Sequence, residues 1–201
     1  MITYYSKFFL KFQVFYILLY IAMFIVNNTI NGDFMFYLNV FFIFSILGHF
    51  LEGFFYTYRD SGILYGYWTP IYGYGVIIIL YVYDRISKKI KLNKFTKLVV
   101  SFLIGFILLT ILEYIGGILI EKLLKVTFWD YSDEKFNIGK YTSLKMALIW
   151  GLSSVITIYF IKPILEKVVK YIPNVVTYIL TTLFAVDSLI TLLPYLTKWK
   201  K

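Results

Sequence analysis

The chain has 201 residues, of which 60% are apolar, 15% charged and 22% aromatic, with a mean hydropathy of +0.76 and a formal net charge of +9. A soluble domain is typically ~45–50% apolar and ~25% charged, so a water-exposed globule cannot hide this much apolar surface, and a disordered chain is excluded by the same numbers. Cysteine is absent and His49 is the single histidine, which removes disulfides, thiolate chemistry, cysteine-based zinc sites and any site that needs two imidazoles.

The composition predicts an all-α, polytopic transmembrane helical bundle forming one integral membrane domain over residues 1–201. A span needs ~20 apolar residues, and six segments qualify. The first is 8–26. Lys7 and Lys11 followed by an apolar run resemble a signal peptide, but no A-x-A-like cleavage site follows, so the segment reads as a retained helix. The second is 34–58. The third, 62–83, is interrupted by Gly66, Pro70, Gly73 and Gly75, so it is expected to be broken or re-entrant. The fourth is 98–120. An interfacial loop over 121–142 carries Trp129, Asp130, Tyr131, Ser132 and Asn137, residues suited to a half-wet boundary and to turn caps. The fifth, 143–161, is expected to stop at Lys162-Pro163, and the sixth is 175–195. No β-barrel alternation occurs, so helices must satisfy the backbone.

The positive charge does not read as a nucleic-acid signal, because the lysines flank the apolar runs. Arg85, Lys88, Lys89, Lys91, Lys94 and Lys97 form one cluster, and Lys162, Lys167 and Lys170 another. Both are expected on one side of the bilayer, facing the cytoplasm and its anionic headgroups. Lys7 and Lys11 pull the other way, so absolute orientation stays open. Scarce alanine with abundant Ile, Lys, Tyr, Phe and Asn suggests an AT-rich bacterial genome, and so the bacterial cell membrane as the location.

Three carboxylates fall inside apolar spans. Glu52 precedes Arg59 by seven residues, Glu113 precedes Glu121 by eight, and Asp187 precedes Pro194 by seven. At ~1.5 Å per residue each lies ~10–12 Å below the same membrane face, if alternate spans run the same way. Intramembrane acids are expensive and normally face the bundle interior. Glu52, Glu113 and Asp187 are therefore candidates for a substrate or ion pathway, with Lys145 as a counter-ion and His49, one turn before Glu52, on the same stripe as Ser45 and Tyr56. The structural alternative is that the acids only tie helices together. His49-x-x-Glu52 has the spacing of a helical metal pair, but one histidine makes it a weak signal, and neither metal nor cofactor is expected. Gly105, Glu113, Gly116 and Gly117 share a small-residue face suited to close packing. Pro70, Tyr72, Gly73 and Gly75 are candidates for a gating element, because irregular backbone at membrane depth persists only inside protein or along a cavity. Trp129, Asp130, Tyr131, Ser132 and Asn137, with residues 57–69, are candidates for a lid over the acids.

The ordered series Glu52, Tyr56, Gly62-Ile63-Leu64-Tyr65-Gly66, Pro70 to Gly75 (PIYGYG), Leu112-Glu113-Tyr114, Glu121, Trp129-Asp130-Tyr131-Ser132, Phe136-Asn137, Gly139-Lys140 and Trp150-Gly151 resembles the CmpB-like family of ABC-transporter type IV permeases over about residues 40–155. Phe128, Lys140 and Tyr67-Trp68 depart from that pattern. The resemblance implies a permease-like membrane subunit working with a separate cytoplasmic ATPase. No G-x-x-x-x-G-K-[ST] phosphate loop, G-x-S-x-G elbow or G-x-G-x-x-G cofactor motif occurs. The alternatives are an ATPase-independent ion- or proton-coupled carrier or channel, a membrane enzyme on lipid-like substrates using Glu52, His49 and Asp130 as acid and base, or a structural subunit. Assembly with further copies of the chain is left open.

Overall fold

The computed structural model describes residues 33–55, 64–91 and 93–197. The expected first span, together with Tyr56, Arg59, Gly62 and Ile63, lies outside the described residues. Five helices account for most of the rest. They are α1 (Asp33–Phe55), α2 (Pro70–Lys89), α3 (Lys94–Leu124), α4 (Leu144–Tyr171) and α5 (Asn174–Thr197). Four of them, α1, α3, α4 and α5, are long and apolar enough to cross a membrane. The expectation was about six spans, and four are seen among the described residues.

Two boundaries differ from the sequence reading. The irregular stretch ends at Thr69, and α2 then runs unbroken from Pro70 through Gly73 and Gly75. Pro70 occupies the first turn, where its missing N–H would be unpaired in any case, and the two glycines admit neighbouring helices rather than bending their own. A methyl at Gly73 would lie 2.6 Å from the Phe41 carbonyl, and one at Gly75 would lie 3.1 Å from Leu109. Likewise α4 does not stop at Lys162-Pro163 but continues to Tyr171. A π-helical turn over Thr157–Ile161 precedes Pro163 and widens the backbone where the proline removes a donor.

Contacts fix the helix directions. Tyr37 meets Tyr81, Phe41 meets Tyr74 and Gly48 meets the Tyr72 ring, so α1 and α2 are antiparallel. Gly75 meets Leu109 while Gly116 meets Ile71, so α2 and α3 are antiparallel. Asn39 bonds Thr177 while Phe42 meets Phe184, so α1 and α5 run together. Consequently α1, α3 and α5, which carry Glu52, Glu113 and Asp187, are co-directed. The core is the packing of α2 residues Val76, Ile77, Ile79 and Leu80 with Phe41, Phe42, Trp68 and Phe184. Apolar side chains also project outward. Leu103, Ile107, Ile111 and Ile115 stripe α3, and Leu148, Leu152, Ile156, Phe160 and Ile164 stripe α4, all exposed. Such continuous apolar faces are intolerable in water and ordinary in lipid.

Between α3 and α4 the loop forms a short hairpin, β1 (Asn137–Ile138) against β2 (Thr142–Ser143), with Asn137 opposite Ser143. Its turns use left-handed backbone at Lys125, Phe136 and Gly139. Ser143 caps α4 by accepting from the Met146 N–H at 3.3 Å, and Asn93 caps α3 by accepting from the Thr96 N–H at 2.8 Å.

Candidate functional site

Each intramembrane acid has its own set of donors. Asp187 on α5 is the most heavily bonded. It accepts from the Tyr65 N–H at 3.0 Å, the Gly66 N–H at 2.7 Å, the Trp68 Nε1–H at 2.7 Å and the Thr191 hydroxyl at 3.0 Å. Residues 64–69 form a non-helical strap ahead of α2, and Asp187 satisfies backbone donors that no helix uses. The strap's other end is held by α1, where the Thr69 N–H donates to the Ser45 carbonyl at 2.8 Å and the Thr69 hydroxyl reaches Glu52 at 3.5 Å. Tyr72 also bonds Glu52, and its ring lies against Gly48 and 6.3 Å from the Trp150 ring.

Glu113 on α3 is buried, with 5% exposure. It accepts from the Thr142 hydroxyl at 2.8 Å and the Tyr131 hydroxyl at 3.1 Å. The Trp150 indole lies beside it, but its Nε1–H is buried and closes no hydrogen bond. The strap thus joins Asp187 to Glu52 through Trp68 and Thr69, and the Tyr72 and Trp150 rings lie between Glu52 and Glu113.

The hairpin region is fastened over Glu113 and Glu121. Trp129 Nε1–H donates to the Tyr141 carbonyl at 2.9 Å, and the Asn137 amide donates to the Tyr131 carbonyl at 3.0 Å and the Ser132 carbonyl at 2.7 Å. Tyr141 stacks into the gap left by Gly117 and donates to Glu121 at 2.7 Å, where Lys140 also pairs at 2.7 Å. The hydrogen bond to Glu121 raises the Lys140 pKa above its ordinary value. Asp130 accepts from the Ser132 hydroxyl and from the Ser132 N–H at 2.9 Å, and these bonds hold its pKa below the ordinary carboxylate value. A depressed folded value means the contribution is present above about pH 4 and is lost as pH falls through the lowered value. Asp130→Ala is therefore expected to speed hydrogen exchange in residues 125–143 at neutral pH. The difference from the parent should vanish in acid, compared at matched pH by mass spectrometry.

The remaining predicted residues fall elsewhere. Lys145 is largely exposed and pairs with Glu134 at 2.7 Å, not with an intramembrane carboxylate. The His49 ring lies edge-on to Tyr67 at 5.2 Å and to Phe50 at 5.8 Å. Among the described residues no group of three or more His, Asp or Glu could hold a metal ion. Pro70 opens α2, and Gly73 and Gly75 are packing positions on it, as described above. Sequence reasoning missed Thr142 and the Tyr65 and Gly66 N–H groups as partners of the acids. Backbone donors carry no residue-type signal, and one threonine in a polar loop looks like any other.

Long apolar helices, outward apolar stripes and a polar interior end define a helical integral membrane protein. The chain belongs to the family described as "Putative ABC-transporter type IV", whose sequence model matches residues 39–192. The match begins where the resemblance does and extends beyond residue 155 to take in most of α5, with Asp187. No curated protein and no solved structure matches the chain significantly.

Proposed function

We propose that the chain is a permease-like membrane subunit of an ABC-type transporter, working with a separate cytoplasmic ATPase, and that Glu52, Glu113 and Asp187 line the path of its substrate or coupling ion in the bacterial cell membrane. Family membership and the missing phosphate loop support the class. The lysine-rich ends of α2 and α4 would face the cytoplasm and dock the ATPase, which puts the acidic end on the outer side.

The observation that carries the reading is Glu113, a carboxylate inside an apolar span whose visible partners are two hydroxyls from the loop between α3 and α4. Tyr131 and Thr142 are neutral donors, which a cation or an ammonium group can replace with a stronger, charge-assisted bond. The hairpin then acts as a lid, with Trp129, Asp130, Ser132 and Asn137 holding its shape, and lifting it exposes the acid.

Copurification from native membranes tests the partner: a stoichiometric ATPase is expected, and its absence overturns the ABC assignment. Glu113→Gln, which retains one acceptor oxygen, should leave the protein folded but abolish flux. Wild-type behaviour in a flux assay would remove Glu113 from the path. The same carboxylate also suits a carrier that needs no ATPase. Proton- or cation-driven flux in liposomes holding only this chain would select that reading.

A further inference from the structure

The lysine-rich end, opposite the acids, contains a cleft of about 600 Å³ between α1, α2, α4 and the start of α5. Its size is that of a small-molecule site. Four cations line it, Arg85 and Lys88 from α2 and Lys162 and Lys170 from α4, against two carboxylates, Asp84 and Glu166. Both carboxylates are committed to one cation: Lys162 pairs with Asp84 and, at 3.6 Å, with Glu166. Arg85, Lys88 and Lys170 pair with no carboxylate among the described residues, so the wall presents unneutralised positive charge.

Two further features give the cleft a shape and a second chemistry. The Arg85 guanidinium is held over the Tyr81 ring at 5.2 Å, which fixes its position before any ligand arrives. Asn39, also on the wall, accepts from the Thr177 hydroxyl at 2.7 Å, which ties α5 to α1 beside the cleft. The lining between these polar groups is apolar, with Met35, Phe36, Val169 and Ile172. A free inorganic anion gains nothing from that half of the wall, whereas a headgroup attached to hydrocarbon does.

We propose that this cleft binds the phosphate headgroup of an anionic lipid, with Arg85, Lys88 and Lys170 contacting the phosphate oxygens and the Met35 and Phe36 side covering the first carbons of the chains. Basic pockets between helices at the cytoplasmic level suit such headgroups. The proposal stands apart from the acidic end and does not depend on the transport reading.

Native mass spectrometry of the full chain, released from phosphatidylglycerol or phosphatidylcholine nanodiscs, tests it. The parent should retain phosphatidylglycerol and shed phosphatidylcholine. The R85Q/K88Q/K170Q variant changes only exposed rim side chains, so its core is untouched, and it should lose phosphatidylglycerol affinity on the order of a hundredfold, at about fivefold per contact. A K122Q/K125Q/K145Q control at the opposite end should bind like the parent. Inorganic phosphate at millimolar concentration should fail to displace the lipid. Equal retention by the parent and the triple rim variant overturns the site. Displacement by phosphate alone overturns the lipid as its ligand.

Discussion

Asp187→Ala is expected to unfasten the 64–69 strap and to cost about 2–4 kcal/mol, since bonds to a charged acceptor are worth ~1.5–3 kcal/mol and removing it leaves several donors unmet. The four groups around Asp187 are the Tyr65 and Gly66 N–H, the Trp68 indole N–H and the Thr191 hydroxyl, all donating to it. A carboxylate, which only accepts, fits such a pocket, and an amide does not. Asp187→Asn should therefore cost nearly as much as alanine, because its NH₂ would face other donors. The chain has no cysteine, so a single Leu64→Cys reports on the strap without background. Its labelling by a soluble maleimide should rise roughly tenfold or more in either Asp187 variant, because 1.4 kcal/mol of lost closure is a factor of ten. Unchanged labelling would mean that the strap is held without Asp187, by the Thr69 bonds to Ser45 and Glu52 and by Trp68 packing against Phe42 and Phe184.

That result also bears on how the acids should be understood. Spacing placed Glu52, Glu113 and Asp187 on co-directed helices at one end, and the contacts between α1, α2, α3 and α5 agree. Spacing could not say what faces them. Asp187 is bound by backbone donors of a strap whose irregularity was legible from Gly66 and Pro70, but whose partner was not, because hydrogen bonds between residues about 120 positions apart leave no periodic trace. That a loop separates the fourth and fifth apolar runs was legible from the mixed charges and turn residues of 121–142, yet its attachment to Glu113 and Glu121 was not. The proline rule failed twice for opposite reasons. Pro70 begins a helix instead of breaking one, and Pro163 is absorbed by the π turn before it. Both outcomes depend on neighbours that the local sequence does not contain.

The glycines separate packing from propensity. In an isolated helix glycine is ~1 kcal/mol worse than alanine, so propensity alone predicts that Gly53→Ala, Gly73→Ala, Gly105→Ala and Gly116→Ala all stabilise. The structure predicts a split. A methyl at Gly105 would lie 2.5 Å from the Trp150 carbonyl oxygen, and one at Gly73 would lie 2.6 Å from that of Phe41. Both obstacles are backbone, which cannot rotate away, so α3 must move off α4 and α2 off α1. Such overpacking costs about 1–3 kcal/mol per site. Gly53 has nothing within 4 Å of the added methyl, and Gly116 meets only Ile71 Cδ1 at 3.5 Å, an ordinary contact. The midpoint for loss of the monodisperse peak after heating in detergent should therefore fall for Gly73→Ala and Gly105→Ala and hold or rise for Gly53→Ala and Gly116→Ala. Four shifts of one sign would mean that the close approach of α2 to α1 and of α3 to α4 does not hold this bundle together.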